Sequence, residues 1–319
     1  MSFVKDIITA VKGFFMGAAN VVPGVSGGTI ALISGIYEEL VGALDAVMSP
    51  GPWKALFKGR FKEFWQGVHG RFLLALAIGV ILSVFTLAKL IEHELLYHPV
   101  LVWAFFFGLI LASAFYMFRD IKGWKGRDVA FAAAGLVLGL VVCTLSPTST
   151  PDSLWFIFLC GAIAICTMIL PGISGSFILV ILGKYDYIMS AVSRMDIPVL
   201  AVFAFGCAVG ILAFAKFLNW LLARRERETM LVLLGFVLGS LVKVWPWNDP
   251  DSCARAQLLR SDLLPASMLD SGSSAGALDV LTGMGETLDL QVPGALLWCA
   301  VGIAVIVLIQ VFSAKKAKS

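Results

Sequence analysis

Two short polar motifs interrupt apolar stretches of the sequence and contain the residues best suited to bind an anion. They are Val22–Thr29 (VPGVSGGT) and Leu170–Phe177 (LPGISGSF), and the second begins 148 residues after the first. Proline lacks an amide proton and glycine tolerates positive φ, so each motif predicts a break between two helices. The helix that follows a break begins with bare amides of partial positive charge, which bind phosphate or carboxylate groups. The motifs therefore predict a pair of anion sites.

The candidate phosphate ligands are the glycine amides and the hydroxyl groups of the motifs. They are Gly24, Ser26, Gly27, Gly28 and Thr29 in the first copy, and Gly172, Ser174, Gly175 and Ser176 in the second. An alternative interpretation is that the breaks only allow close helix packing, as small residues do in membranes. The presence of two copies favours binding.

Charged residues inside or beside apolar segments form a second group of candidates. Lys89, Lys216 and Arg194 are candidates for guiding an anionic headgroup, although long cationic side chains near helix ends also reach the headgroups without any such role. Carboxylates that follow the breaks are candidates for proton coupling, or they simply end a half-helix at the interface. They are Glu38, Glu39 and Asp186.

The composition identifies an integral membrane protein and excludes several other classes. Hydrophobic residues make up 59% of the chain and charged residues 14%, with a mean hydropathy of +0.92. The net charge of +3 comes without a basic face, so nucleic acid is not an expected partner. The six cysteines include no CxxC pair, and His93 and His98 are five residues apart instead of the four of a zinc helix motif. Without a nucleophile elbow or Walker loop, neither a metal, a cofactor nor an enzymatic activity is expected.

The order of apolar segments predicts an all-α polytopic membrane protein with two inverted-topology repeats, residues 1–145 and 146–319. Each repeat is expected to contain one re-entrant helical hairpin and three transmembrane helices. Length favours a re-entrant hairpin. A hairpin that crosses the membrane twice also begins and ends on the same side, so the topology alone leaves that alternative open. A polar connection is expected at 49–70 and a long extracytoplasmic loop at 247–292. The predicted segments are hairpin 3–48 with spans 71–91, 99–118 and 128–145, then hairpin 154–192 with spans 197–222, 229–245 and 293–312.

The distribution of Lys and Arg predicts the orientation. Basic connections at 49–71, 119–127 and 224–227 and the basic C-terminal tail are expected in the cytoplasm, with both termini on that side. Counting spans then places the ends of the first hairpin inside and those of the second outside. The two halves are therefore expected to be inverted relative to each other, as in transporters that alternate access around a central site.

The two motifs, together with Gly35–Glu38 (GIYE), make the sequence similar to the PopT polyprenyl-phosphate transporters of bacteria and archaea, over nearly the whole chain. The resemblance implies a flippase of the bacterial plasma membrane that returns undecaprenyl phosphate from the outer to the cytoplasmic leaflet. The lipid is then reused for peptidoglycan and other envelope polymers. It also implies that the phosphate lies at Ser26, Ser174 and the neighbouring glycine amides. Ser176 and Phe177 stand where the first motif has Gly28 and Thr29, which puts equal binding at both breaks in question.

Three other functions are left open by the residues. An ion-coupled transporter of a small anionic solute would use the same breaks but needs an enclosed polar path. A lipid-phosphate hydrolase would release inorganic phosphate, and a structural membrane partner would transport nothing. The expected partners are a polyprenyl phosphate and the bilayer, and the sequence leaves the oligomeric state open.

Overall fold

The computed structural model describes residues 3–21, 26–261 and 276–317, which form helices and short connections without a strand among them. The chain divides into two compact units, one from residues 1–85 and 117–240 and the other from residues 86–116 and 241–319. The helices of the described residues are, in chain order, α1 (Phe3–Val21), α2 (Gly27–Ile33), α3 (Tyr37–Met48), α4 (Pro50–Phe57), α5 (Phe61–Gly67), α6 (Gly70–Tyr97), α7 (Pro99–Asp120), α8 (Gly126–Thr144), α9 (Leu154–Ile169), α10 (Gly175–Ile181), α11 (Tyr185–Ser193), α12 (Ile197–Ser240), α13 (Pro250–Arg260), α14 (Ala277–Gly283) and α15 (Val292–Ala317).

Four of these helices are long and apolar enough to cross a bilayer: α6, α7, α8 and α12. The 44 residues of α12 are too many for one crossing, because a span needs about 20 residues. Arg225 leaves helical geometry at φ −141° and ψ 47°, which divides α12 close to the predicted boundary between two spans. The apolar helices α9 and α15 are shorter. The predicted all-helical, multi-pass membrane protein is confirmed.

The part of each hairpin that follows the break differs from the prediction. One helix was expected over 29–48 and one over 176–192, but each is two helices, α2 with α3 and α10 with α11. The interruptions lie at Gly35, with φ 68°, and Gly183, with φ 63°. Only glycine adopts this left-handed conformation without a steric penalty, so each glycine ends the short helix before it. The axes of α10 and α11 differ by 110°.

The first unit is held together by glycines that let helices approach closely. A Cβ atom at Gly139 of α8 would lie 2.6 Å from the Phe236 carbonyl oxygen of α12, and one at Gly239 would lie 2.5 Å from that of Leu136. Gly210 of α12 is equally close to the Ala162 carbonyl of α9. These helix pairs therefore pack backbone against backbone, which a side chain at these positions would prevent.

Two glycine contacts in the first unit are related by constant differences in residue number. Gly79 of α6 packs on the Ala10 carbonyl of α1, and Gly206 packs on that of Phe158 in α9. Gly206 follows Gly79 by 127 residues, and Phe158 follows Ala10 by 148. The sequence similarity between the halves thus corresponds to repeated helix packing.

The second unit contains folded structure where a polar loop was expected. Helices α13 and α14 bury Ala254, Leu258 and Leu281 against one another. The Leu278 amide donates to Asp251 Oδ1 at 3.1 Å, which fixes the start of α14. The predicted loop at 247–292 therefore contains a small packed cluster, although residues 262–275 lie outside the described residues.

Replacing Gly239 by alanine is expected to destabilise the protein by about 1–3 kcal/mol, because the added methyl group has no space beside the Leu136 carbonyl. The measurement is thermal unfolding of the purified protein in detergent. Gly42→Ala is the matched control, since a Cβ at this α3 position meets nothing within 4 Å. Equal melting temperatures for the two variants would contradict the packing.

Cys253 reports whether the α13–α14 cluster is folded. Burial, together with a smaller contribution from the nearby Asp249 carboxylate, raises the pKa of its thiol from 9.0 to about 11. We expect the thiolate fraction at pH 7.5 to fall about a hundredfold, so that alkylation by a membrane-impermeant maleimide is slow and accelerates towards pH 11. Labelling is quantified by mass spectrometry of the Cys253 peptide. Reaction as fast as that of the same peptide after denaturation would show that the cluster does not form.

Candidate functional site

Both helix breaks lie in the first unit, where they contact each other. Helix α1 ends at Val21 and α2 begins at Gly27, while α9 ends at Ile169 and α10 begins at Gly175. Residues 22–25, and with them the predicted ligand Gly24, lie outside the described residues. The structure brings most of the remaining predicted ligands together at one crossing of the two hairpins.

Three hydrogen bonds join the two breaks. Ser26 Oγ lies 3.2 Å from the Met168 carbonyl oxygen and 3.1 Å from that of Leu170, to which it donates. In the other direction, the Gly172 amide donates to Thr29 Oγ1 at 2.7 Å. Ser26 and Thr29 are completely buried. Side chains of the first break therefore satisfy backbone groups of the second that the bilayer cannot satisfy.

Within the first break, the start of α2 is also fully capped. The Gly28 amide donates to Ser26 Oγ at 3.1 Å, and the Thr29 amide donates to the Ser26 carbonyl at 3.0 Å. The Gly27 amide donates to Asn20 Oδ1 at 2.7 Å. The amides of Gly27, Gly28 and Thr29, which were predicted to bind an anion, are thus occupied by protein acceptors.

The second break presents its hydroxyl groups differently. Ser174 caps α10 by accepting from the Phe177 amide at 3.2 Å, and its Oγ is 3.1 Å from Ser176 Oγ. Ser174 is 6% exposed, whereas Ser176 is half-buried. Among the described hydroxyl groups of the two motifs, that of Ser176 is accordingly the most accessible.

Packing explains why the two motifs differ in sequence. A Cβ at Gly28 would lie 2.5 Å from the Ile169 carbonyl oxygen, so the first motif needs glycine there. The equivalent position in the second motif is Ser176, which is half-buried and has room for its side chain. Thr29 contributes the hydroxyl that joins the breaks, and its counterpart Phe177 packs on the apolar cluster around Ile178.

Two of the predicted glycines serve the geometry of the second break. Gly172 has φ 98°, and a Cβ there would lie 2.7 Å from Ser240 Oγ of α12. A Cβ at Gly175 would likewise lie 2.7 Å from the Ala164 carbonyl oxygen of α9. These residues are required for the chain to turn and for α10 to approach α9, whether or not a ligand binds.

Asn20 and Lys12 were not predicted as site residues. The exposed Asn20 is the side-chain acceptor for α2, and Lys12 Nζ donates to the Ser34 carbonyl at 2.5 Å, at the other end of the same helix. Both side chains extend from α1 and thereby fix both ends of α2. The sequence signal was their polarity within an apolar helix next to the break.

The remaining predicted residues take no part in the hydrogen bonds just described. Lys216 and Arg194 belong to the first unit and are exposed, and Lys89 is exposed on α6 in the second unit. Glu38 and Asp186 are also exposed.

The half-buried Glu39 lies 3.9 Å from Lys5 Nζ. Its role and those of the other predicted coupling and guidance residues stay predictions.

Comparison with known proteins adds three findings. The sequence profile of the undecaprenyl phosphate translocase-like family matches residues 16–258, a range that includes both breaks. A polyprenyl-phosphate transporter of Vibrio cholerae serotype O1 (strain ATCC 39315 / El Tor Inaba N16961) is 42% identical over 241 residues, which are 76% of this chain and 78% of the relative. A polyprenyl-phosphate transporter of Staphylococcus aureus (strain NCTC 8325 / PS 47) is 31% identical over 258 residues, or 75% and 86% of the two chains. No solved structure matches the chain.

Replacing Thr29 by valine is expected to reduce the free energy of unfolding by about 1–3 kcal/mol, because the buried Gly172 amide loses its acceptor. Thr29→Ser keeps the hydroxyl group and is the matched control, with a smaller loss from the missing methyl group. Chemical or thermal unfolding in detergent measures both variants. A valine variant as stable as the serine variant would show that this bond does not stabilise the crossing.

Proposed function

The chain belongs to the undecaprenyl phosphate translocase-like family, and on that premise we propose that it moves a polyprenyl phosphate, such as undecaprenyl phosphate, across its membrane. The family match and two relatives named polyprenyl-phosphate transporters support this function. The observation that carries it is the crossing of the two helix breaks, which collects hydroxyl groups and backbone amides within an apolar helical unit. A lipid phosphate needs such a polar point while its prenyl chain stays among hydrocarbon chains.

The phosphate is proposed to bind at the second break, on the side of Ser174 and Ser176. This choice is supported by the accessibility of Ser176 and by the engagement of Ser26 and Thr29 in holding the breaks together. In this arrangement the first break is chiefly structural, and the second receives the headgroup.

Transport is proposed to occur by rocking of two inverted repeats around this crossing. The repeated contacts, Gly79 on Ala10 and Gly206 on Phe158, support a duplicated helix packing. Gly108 and Gly235 are separated by 127 residues, as Gly79 and Gly206 are, and each packs on a carbonyl group of another helix. Inversion follows from the distribution of Lys and Arg, which favours cytoplasmic termini.

The proposed direction is from the outer to the cytoplasmic leaflet of a bacterial plasma membrane, where the lipid supports synthesis of peptidoglycan and other envelope polymers. Exposed Lys89, Lys216 and Arg194 remain candidates for guiding the headgroup. Glu38, Glu39 and Asp186 remain candidates for coupling to protons. The protein itself is proposed to carry out no covalent chemistry.

The decisive measurement follows transbilayer movement of labelled undecaprenyl phosphate in vesicles that contain the purified protein. Ser176→Ala alone, and together with Ser174→Ala, is expected to reduce the initial rate by about tenfold or more, since hydrogen bonds to a charged group contribute about 1.5–3 kcal/mol each. Ser193→Ala is the control, because this hydroxyl bonds within α11 to the Met189 carbonyl at 3.0 Å.

Different outcomes identify different errors. Normal transport by the serine variants would place the headgroup elsewhere while leaving the function intact. Wild-type vesicles that move no lipid but accumulate phosphate or another small anion would favour the small-anion transporter. Release of inorganic phosphate from the lipid would identify a hydrolase.

A further inference from the structure

The connection between α3 and α6 is formed by helices too short to span a membrane, but it exposes several large apolar side chains. Helices α4 and α5 pack together and form what we term the α4–α5 hairpin, residues 50–67. Its large apolar side chains are exposed, with Phe57 at 86% and Phe61 at 63%. Helices of 8 and 7 residues are too short to cross a bilayer, so these rings are not explained as part of a span.

The aromatic side chains form one continuous face. Trp53 and Phe57 are four residues apart on α4, and Phe61 and Trp65 are four apart on α5, so each pair lies on one side of its helix. Phe61 stacks on Trp65 with ring centroids 6.4 Å apart, and Trp53 lies 5.2 Å from Phe64 across the two helices. The rings therefore form a connected surface.

Cations surround this aromatic face. Residues 50–67 contain one carboxylate, Glu63, which pairs with Arg60 at 3.0 Å. The hairpin carries a net charge of +3 from four exposed basic residues and that carboxylate. The basic residues are Lys54, Lys58, Arg60 and Lys62. Aromatic rings with flanking Lys and Arg are typical of helices that lie in the plane of a membrane interface and attract anionic lipids.

The hairpin is also fastened to the first broken hairpin. Helix α4 begins two residues after α3 ends, and Trp53 Nε1 donates to the Val47 carbonyl at 2.6 Å. The buried Ala55 faces the protein while Trp53, Lys54 and Phe57 face outward. The aromatic face is thus held in a fixed direction by the fold.

We propose that the α4–α5 hairpin docks on the headgroup region of the adjacent leaflet, with its rings at the acyl boundary and its cations on anionic phospholipid headgroups. The charge complementarity selects this occupant over a neutral bilayer surface or an apolar protein segment. The docking does not depend on which lipid the protein transports.

Photocrosslinking of the full-length protein in vesicles tests this docking. Phe57 is replaced by p-benzoylphenylalanine, and Gln66, which is exposed about 100° around α5 from Trp65 and about 140° from Phe61, is replaced in the matched control. The vesicles contain phosphatidylcholine alone or with 30% phosphatidylglycerol, by design. Lipid adducts are identified by mass spectrometry, after monodisperse elution has shown that each variant is folded.

The expected result is a phospholipid adduct at position 57, with a several-fold lower yield at position 66. In mixed vesicles, the ratio of phosphatidylglycerol to phosphatidylcholine in the adduct is expected to exceed that in the vesicles about fivefold, because each surface cation attracts anionic lipid by about 1 kcal/mol. The enrichment should disappear when Lys54, Lys58, Arg60 and Lys62 are all replaced by glutamine.

Equal lipid adducts at positions 57 and 66 would overturn the docking, as would adducts only to a second copy of the chain. Adducts at position 57 without lipid preference, in the presence of all four cations, would overturn the anionic selection. Neither result would alter the transport assay, so a failure of this inference is separate from a failure of the proposed function.

Discussion

The structure depends on one constraint, which is that a helix broken inside a bilayer must find hydrogen-bond partners for the backbone groups it exposes. Here the partners come from a second broken helix. Ser26 donates to carbonyl groups at the end of α9, and Thr29 accepts from the Gly172 amide. The second hairpin therefore depends on side chains of the first, and both breaks lie within one compact unit.

These hydrogen bonds also give the two similar motifs different roles. Close approach to the Ile169 carbonyl requires Gly28, whereas the same position in the second motif accommodates the half-buried Ser176. The hydroxyl groups of the first motif therefore form buried hydrogen bonds, whereas one hydroxyl group of the second motif stays accessible. Two motifs of similar sequence thus have different surroundings.

Hydropathy and glycine patterns were sufficient to predict the apolar spans and both breaks, because burial in lipid leaves long uninterrupted apolar runs. The interruptions at Gly35 and Gly183 were missed, since an isolated glycine in a helical pattern carries no sign of its backbone angle. Helices α4, α5, α13 and α14 were missed because short amphipathic helices resemble polar connections in composition. The contacts of Ser26 could not be predicted, as the partner carbonyls lie more than 140 residues away and any residue type supplies a carbonyl.

The hydrogen bonds between the breaks affect the protein when no lipid is bound. If the two repeats rock apart at the crossing, the bonds from Ser26 and Thr29 must open, and without a replacement their groups would face hydrocarbon. A few such bonds at about 1 kcal/mol each disfavour the opened form by about a hundredfold. A phosphate bound at the second break can accept from the released Gly172 amide, so a bound headgroup would offset part of this cost. A transporter without bound lipid would therefore stay in the form with these hydrogen bonds intact, which would prevent a passive leak of ions between transport cycles.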